Sequence, residues 1–269
     1  MTIASSPHTF KLGTGENPQR GFKFSDAPKR VSLDEKYRPR TLADLIGNGL
    51  AKFDLQSFAE TPYSNALMFS GASGIGKTSA AFALALDLGA DKWSTIEIRS
   101  GECTGEAVKD ALSHLNHSAW SGSGWKFVIV NEADHMSQKA EFLWLDSLED
   151  IRANCDRSVV IFTTNNPEKL DHRFLTRCKP IEFIPVDIID AQTVARRVWE
   201  GERTPGDCPD VETFKGLRDR NGLISLRWVI QLLEPYIARA NREPAKAKPV
   251  ATPIVRTASL LSFNPKKTK

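Results

Sequence analysis

A glycine-rich segment, GASGIGKTS at residues 71–79, has the residue types that bind phosphate groups. It follows the apolar run ALMFS and precedes the helical pattern AAFALALDLG, so its G-x-x-x-x-G-K-T spacing falls between a strand and a helix. In that setting backbone amides surround phosphate oxygens, the lysine reaches the terminal phosphates and the threonine hydroxyl binds Mg²⁺. We therefore predict ATP and Mg²⁺ as ligands. The predicted phosphate-binding residues are Gly71, Ser73, Gly74, Ile75, Gly76, Lys77, Thr78 and Ser79.

A second segment, VIVNEADHM at residues 128–136, combines an apolar strand pattern with the carboxylates Glu132 and Asp134. Nucleoside-triphosphate hydrolases commonly place an acid that helps to hold Mg²⁺ at the end of such a strand. Asn131 stands there instead, and an amide retains an oxygen acceptor but has no negative charge. We predict Thr78 and Asn131 as the metal ligands, with weakened metal affinity and slow rather than absent hydrolysis.

Five short apolar runs alternate with helical patterns, which predicts an α/β fold with a central parallel sheet. The predicted strands are 66–70, 95–98, 126–130, 158–164 and 180–184. After Pro185 only helical patterns follow, DAQTVARRVWEG and SLRWVIQLLEPYIARA, which predict a small all-α lid. The predicted organisation is a flexible arm over 1–31, a nucleotide-binding domain over 32–187, a lid over 188–240 and a disordered basic tail over 241–269.

The charge is unevenly distributed along the chain. Residues 1–30 hold five basic and two acidic side chains, and residues 241–269 hold seven basic and one acidic, whereas the body between them holds 24 basic and 30 acidic. Basic tails could contact nucleic acid through its phosphates, or could simply be solvated. No apolar run approaches the length of a membrane span, the first residues do not resemble a secretory signal, and the four cysteines form no C-x-x-C pair. We therefore expect a cytoplasmic protein with reduced thiols and no membrane partner.

Several segments, in order, resemble the clamp-loader subunits of the replication factor C type, which are AAA+ ATPases. EKYRPRTLADLIGN at 35–48 resembles the segment that opens their ATPase domain, and NEAD resembles their DEAD box. FTTNNPEKLDHRFLTRCKPIEF at 162–183 resembles their sensor 1 and Ser-Arg-Cys motifs, and NGLISLRWVIQLLE at 221–234 resembles their sensor 2 helix. The resemblance covers about residues 34–236 and implies a P-loop AAA+ domain followed by a helical lid. A small-molecule kinase would share the phosphate loop but leaves the sensor motifs unexplained.

The resemblance also implies roles for individual residues. Glu132 would polarise the attacking water, and Asn165 would orient it beside the γ phosphate. Arg227 would reach the γ phosphate from the lid of the same chain, and Arg177 would be offered to the nucleotide of a neighbouring subunit. Ordinary surface charges are the alternative interpretation of both arginines. The implied adenine pocket consists of Tyr37, Arg38, Pro39, Ile46 and Gly47.

The helix after the acidic box departs from the family pattern. Leu145 and Asp146, in SQKAEFLWLDSLED, stand where clamp loaders carry the basic residues that follow DNA, and an aspartate repels phosphate. Trp144 and Leu148, four residues apart, favour packing against a core or a neighbour over stacking on bases. These residues therefore weaken the prediction that the protein binds DNA.

The region after the lid pattern also differs, because no helical pattern like the clamp-loader collar follows residue 240. We accordingly do not expect this segment to hold a ring together. The short run SLLSF at 259–263 faintly resembles a peptide that binds a sliding clamp.

Together these features predict an ATP-binding AAA+ assembly factor of DNA replication or repair that hydrolyses ATP slowly and forms homo- or hetero-oligomers with other AAA+ subunits. Two alternatives stay open: a non-hydrolysing subunit that supplies Arg177 to an active partner, and a helicase loader or other remodeller that acts on protein.

Overall fold

The computed structural model of the protein describes residues 31–116 and 123–242. The predicted arm and tail lie outside these residues apart from Val31, Asn241 and Arg242, and so does the SLLSF segment. In the described part of the chain, no helix is both long enough and apolar enough to span a membrane.

Five parallel strands form one sheet, as the apolar runs predict. They are β1 (Asn65–Ser70), β2 (Thr95–Ile98), β3 (Lys126–Val130), β4 (Ser158–Thr164) and β5 (Lys179–Glu182), in the order β2-β3-β4-β1-β5. The last strand ends two residues before the predicted position 184. The central strands β1, β3 and β4 are buried almost throughout, which explains why they are nearly continuous apolar runs.

Eight α-helices accompany the sheet in the described residues. They are α1 (Leu33–Lys36), α2 (Gly49–Glu60), α3 (Lys77–Asp87), α4 (Gly105–Asn116), α5 (Gln138–Asn154), α6 (His172–Arg177), α7 (Ile188–Gly201) and α8 (Leu226–Arg242).

Two helical layers cover the two faces of the sheet. Phe127 and Ile129 pack with residues of α2 and α3, whereas Val128 and Val130 pack with residues of α4 and α5. This division follows from the strand, in which successive side chains point to opposite faces. The phosphate loop and the residues that follow β3 and β4 lie at the edge of the sheet where the parallel strands end.

The core interpretation of two residues on α5 is confirmed. Trp144 and Leu148 are buried, and the Trp144 ring meets Phe162 of β4 edge-to-face, with the ring centroids 5.3 Å apart. Leu145 is also buried, so its side chain is not available on the surface of α5. The surface of this helix carries acidic residues, among them Glu141 and Asp146.

The helices α7 and α8 form a separate small core, which is the predicted lid. Their apolar faces meet through Val194, Val198, Val229 and Leu233. Partly buried residues of the N-terminal segment, including Tyr37 and Ile46, pack against the same core. The lid is thus joined to the rest of the fold by apolar contacts as well as by the chain itself.

Candidate functional site

A cleft of about 320 Å³ lies between the strand ends, the N-terminal segment and the lid. Its volume is in the range of small-ligand sites. It is lined by every predicted nucleotide-site residue except Gly71 and Arg177. The predicted lining residues are Tyr37, Arg38, Pro39, Ile46, Gly47, Ser73, Gly74, Ile75, Gly76, Lys77, Thr78, Ser79, Asn131, Glu132, Asn165 and Arg227.

Lys77 opens helix α3 and is held by three acceptors. Its ammonium donates to the carbonyl oxygens of Gly71 (2.7 Å) and Ala72 (2.6 Å) and to Oδ1 of Asn165 (2.9 Å). Burial lowers the pKa of Lys77 to about 8, opposed by the carboxylates of Asp134 and Glu132. A triphosphate would replace one of these acceptors with a charged oxygen, which makes a stronger hydrogen bond.

Thr78 and Asn131 lie together, as the prediction of a shared metal site requires. The Thr78 hydroxyl donates to Oδ1 of Asn131 at 2.8 Å, which brings two neutral oxygens to the phosphate end of the cleft. Mg²⁺ prefers oxygen ligands and binds proteins through few of them, together with phosphates and water. The donor set therefore fits Mg²⁺, which would neutralise charge on the β and γ phosphates when bound with ATP.

Glu132 follows Asn131 in an uncommon backbone conformation. Its φ of 53° and ψ of 56° are left-handed, which is rare for a residue with a side chain. The backbone amide of Glu132 donates to Oγ1 of Thr163, and its carboxylate lies 3.5 Å from Nδ1 of His135. Such backbone conformations cluster at functional sites. The turn brings the carboxylate of Glu132 to the cleft.

Asn166 contacts the loop that follows β3. Its side-chain amide donates to Oδ2 of Asp134 at 3.0 Å, while Thr164 donates to Oδ1 at 2.9 Å. Burial raises the pKa of Asp134, but these hydrogen bonds outweigh it and hold the pKa below its ordinary value. Asp134 therefore stays ionised and ties the loop after β3 to the loop after β4, where Asn165 lies.

The lid contacts the phosphate loop directly. The backbone amide of Arg227 and the hydroxyl of Ser225 both lie 3.4 Å from the carbonyl oxygen of Gly74. Arg227 lines the cleft and lies close enough to Lys77 to contribute to the lowering of its pKa. The geometry therefore brings Glu132, Asn165 and Arg227 to the same cleft as Lys77.

The N-terminal segment forms the opposite wall of the cleft and is also tied to the lid. The Tyr37 hydroxyl donates to Glu202 at 2.8 Å, and the Lys36 ammonium reaches the same carboxylate at 2.5 Å. Burial and the neighbouring Glu202 raise the pKa of Tyr37 to about 12, so its hydroxyl stays protonated. Arg197 of α7 makes a further ion pair with Asp44 at 3.3 Å.

The sequence interpretation missed several residues of this wall. Asn48 accepts from the backbone amide of Ile184 at 2.7 Å and donates to the carbonyl of Ile75 at 3.5 Å, which links the segment to the phosphate loop. The apolar residues Val194, Val198 and Ile230 of the lid also line the cleft. Their helical spacing predicted a buried face but gave no sign that this face also borders a ligand site.

Arg177 lies outside this cleft, at the end of α6. Its guanidinium pairs with Glu149 of α5 at 2.7 Å, in a hollow that also includes Arg152 and Arg173. The side chain of Glu149 is 70% exposed, so the ion pair is accessible to solvent. Within its own chain Arg177 is therefore a surface residue paired with an acid.

Known proteins resemble this chain in both sequence and fold. Residues 67–186 match the ATPase family associated with various cellular activities, AAA. The replication factor C large subunit of Methanocorpusculum labreanum is 30% identical over 62% of this chain and 34% of its own length. The replication factor C small subunit of Methanocella arvoryzae is 30% identical over 62% of this chain and 52% of its own length. The chain thus spans about a third to a half of the length of these relatives.

Solved structures show the same fold. The Holliday junction branch migration motor RuvB of Thermotoga maritima matches 74% of this chain and 64% of its own, with a TM-score of 0.57 and 16% identity. A DNA polymerase III gamma subunit-related protein of the same organism matches 68% of this chain and 57% of its own, with a TM-score of 0.50 and 15% identity. The phosphate loop, the strand-end residues and the lid occur together in one cleft, and residues 67–186 match AAA. Residues 67–186 of this chain accordingly match the AAA family of ATPases, and the chain resembles the clamp-loader subunits of the replication factor C type.

Proposed function

We propose that this protein binds Mg²⁺-ATP in the cleft and hydrolyses it slowly, as a clamp-loader-type assembly factor in DNA replication or repair. The observation that carries the proposal is the convergence of Lys77, Glu132, Asn165 and Arg227 on one cleft. Charge that develops on phosphoryl oxygens during transfer is stabilised by cations that the fold holds in place. Lys77 and Arg227 are such cations.

Each group has a distinct part in the proposed reaction. Glu132 polarises the attacking water, and Asn165 orients that water while sharing a hydrogen bond with Lys77. Arg227 lies in the first turn of α8 and its backbone amide faces the carbonyl of Gly74, so a change at the phosphates reaches the lid through a single peptide unit. Release of phosphate then resets the angle of the lid, which alters its contacts with a partner.

The slow rate is assigned to Asn131. Its oxygen accepts the Thr78 proton, but the amide contributes no negative charge of its own to hold a divalent cation. Because Glu132 keeps its carboxylate in the cleft, the group that polarises water is retained. We therefore propose weakened metal binding with hydrolysis preserved.

A second function is favoured by Arg177. Its guanidinium lies on the surface next to an exposed acid, rather than in the cleft of its own chain. A subunit that binds ATP without hydrolysing it could supply this arginine to the site of a more active partner. Under this proposal ATP mainly stabilises an interface, and the partner is another AAA+ subunit. The acidic surface of α5 is also compatible with a remodeller that acts on protein, because acidic side chains repel DNA phosphates.

Steady-state hydrolysis of Mg²⁺-ATP by the purified protein tests these proposals. The natural protein, Asn131→Asp and Lys77→Ala are compared with and without primed DNA, and a thermal melt of each variant confirms folding. Turnover above the Lys77→Ala background, accelerated by DNA, supports the clamp-loader proposal. Turnover by Asn131→Asp alone supports the non-hydrolysing subunit. Turnover that DNA leaves unchanged, without DNA binding at low salt, favours a remodeller of proteins.

A further inference from the structure

Strand β2 carries a carboxylate, Glu97, beside the proposed metal site. Its Oε1 accepts a hydrogen bond from Nδ2 of Asn131 at 2.7 Å, and Oδ1 of Asn131 accepts from the Thr78 hydroxyl at 2.8 Å. Glu97 also lines the cleft. Thr78, Asn131 and Glu97 therefore form a continuous chain of hydrogen bonds from the phosphate loop to the neighbouring strand.

The sheet register explains why these residues meet. Glu97 is paired with Ile129 on β3, and Asn131 follows Ile129 by two residues. Side chains two residues apart along a strand point to the same face, and Ile129 packs in the core shared with α3. Glu97 and Asn131 are thus directed to the face from which Thr78 of α3 projects.

Glu97 also determines which end of the amide faces Thr78. An ionised carboxylate accepts hydrogen bonds and cannot donate them, so it bonds the NH₂ group of Asn131 and turns the oxygen toward Thr78. Thr78 donates its proton to that oxygen and keeps its own lone pairs for a cation. With the amide reversed, its oxygen would face the carboxylate of Glu97, which only accepts hydrogen bonds, and would be lost to the metal site.

We propose that Glu97 is a positioning residue of the Mg²⁺ site and supplies, from the adjacent strand, the negative charge that Asn131 lacks. This inference rests on the proposed function, because it concerns the Mg²⁺ that accompanies ATP. Residues that hydrogen-bond to metal ligands orient those ligands and tune the affinity of the site. The negative charge thus comes from Glu97, which contacts the metal ligand Asn131, and not from the ligand itself.

The contact with Glu97 would change in the variant Asn131→Asp. An aspartate at 131 cannot donate to Glu97, and the two carboxylates would repel each other across a contact that is now a hydrogen bond. Removing the charge of Glu97 therefore has opposite effects in the two backgrounds. It weakens the metal site of the natural protein, and it relieves repulsion in Asn131→Asp.

A Mg²⁺ titration of nucleotide binding measures both effects without relying on turnover. A fluorescent ATP analogue is bound to the natural protein, Glu97→Gln, Asn131→Asp and the double variant, first in EDTA and then at increasing Mg²⁺. Glu102→Gln is the matched control, since it removes an exposed carboxylate five residues away that does not line the cleft. Thermal melts establish that all variants fold.

We expect Glu97→Gln to raise the half-saturating Mg²⁺ concentration by about tenfold, the lower end of effects seen for residues that orient metal ligands. Affinity in EDTA and the behaviour of Glu102→Gln should stay unchanged. In the Asn131→Asp background, Glu97→Gln should leave the Mg²⁺ requirement the same or lower it.

Three results with the Glu97→Gln variant would overturn the proposal. Glu97→Gln could match Glu102→Gln, Glu97→Gln could weaken binding equally in EDTA, or Glu97→Gln could raise the Mg²⁺ requirement in both backgrounds. A natural protein that binds no nucleotide under either condition would instead refute the proposed function itself. Nucleotide binding that ignores Mg²⁺ in every variant would leave ATP binding intact and reject only the role of Glu97.

Discussion

Arg177 and Cys178 are neighbours in the chain that lie in opposite environments. Arg177 is paired with Glu149 at the surface, whereas Cys178 is buried in the core beneath α5 and α6. The buried thiol fixes the end of α6, so the guanidinium of the preceding residue is directed outward. Burial raises the pKa of Cys178 to about 12.

This pKa predicts a pH dependence of stability. An unfolded thiol releases its proton near the ordinary pKa of 9.0, but the folded protein retains the proton up to about 12. Between these values the folded state binds more protons, so the free energy of unfolding decreases as pH rises. Relative to Cys178→Ala, we expect the natural protein to lose about 1 kcal/mol more between pH 9 and pH 10. Urea denaturation at pH 8, 9 and 10 measures the difference.

The Cys178→Ala variant is less stable at every pH because it leaves a small cavity, so only the slope is compared. The other ionisable groups are the same in both proteins and cancel in that comparison. Equal slopes would show that the thiol is exposed to solvent or is ionised in the folded state.

Residues with a local motif were predictable, and residues with distant partners were not. The phosphate-loop spacing predicts Lys77 and Thr78 because their function depends on a short segment with its own backbone geometry. Glu97 and Asn166 meet their partners across 34 and 32 residues. Their contacts depend on which strands are adjacent and in which register. A single sequence does not state this, although a charged residue within the apolar run TIEI was a visible signal.

At the level of elements, the phosphate loop and the lid meet at Gly74. This glycine has a φ of 76°, and a Cβ built there would lie 2.0 Å from Oγ of Ser225. A side chain at this position would therefore encounter both backbone strain and the residue that precedes α8. Gly222, in the turn before α8, has a φ of 78° but no atom within 4 Å of such a Cβ.

The two glycines form a matched pair for mutation. Gly222→Ala should destabilise the protein by about 1 kcal/mol from backbone strain alone and leave the Kd for ATP unchanged. Gly74→Ala should add the cost of overlap with the lid, about 1–3 kcal/mol, and weaken ATP binding by about tenfold. Calorimetric titration and thermal melting of both variants measure these effects.

The double variant Gly74→Ala/Ser225→Ala supplies the internal control, because it removes the Oγ atom that the new methyl group meets. Partial recovery of ATP affinity is the expected result. No recovery, or equal losses for Gly74→Ala and Gly222→Ala, would show that the contact with the lid does not contribute.

The elements themselves follow closely from the sequence. All five predicted strands occur. The central strands β1, β3 and β4 are buried apolar runs, whereas the edge strands β2 and β5 are only partly buried. The last strand is shorter than predicted. Phe183, which the apolar pattern included, still donates its amide to Ser70 but lies past the end of β5. An apolar sequence pattern indicates which residues are buried. Phe183 is buried although it lies past the last residue of β5, so the pattern overestimates where the strand ends.

At the scale of the whole molecule, Arg177 predicts that turnover depends on assembly. Lys77→Ala keeps the surface arginine but loses the phosphate lysine, whereas Arg177→Ala keeps the cleft but loses the arginine. Each variant alone should hydrolyse ATP at background rates. Mixed in equal amounts, they should recover about a quarter of the natural activity, since random assembly pairs an intact cleft with an intact arginine at one interface in four.

The mixing experiment has a matched control in Arg173→Ala, which removes a neighbouring arginine that pairs with Asp171 on its own helix. This variant should retain activity when assayed alone. Activity of Arg177→Ala alone would exclude a role for that arginine in a neighbouring site. Recovery only on addition of another AAA+ chain would identify the assembly as mixed.

Two of the contacts that join the lid to the rest of the chain lie at separated points. One is the carbonyl of Gly74, which faces the start of α8, and the other is Glu202, which accepts from Lys36 and Tyr37 at the end of α7. In mechanical terms the lid is a lever, with the contact at Glu202 as its pivot and Gly74 as the point where force is applied. A displacement of the phosphate loop by a fraction of an ångström would then become a larger swing at the far end of α8, where a partner could sense it.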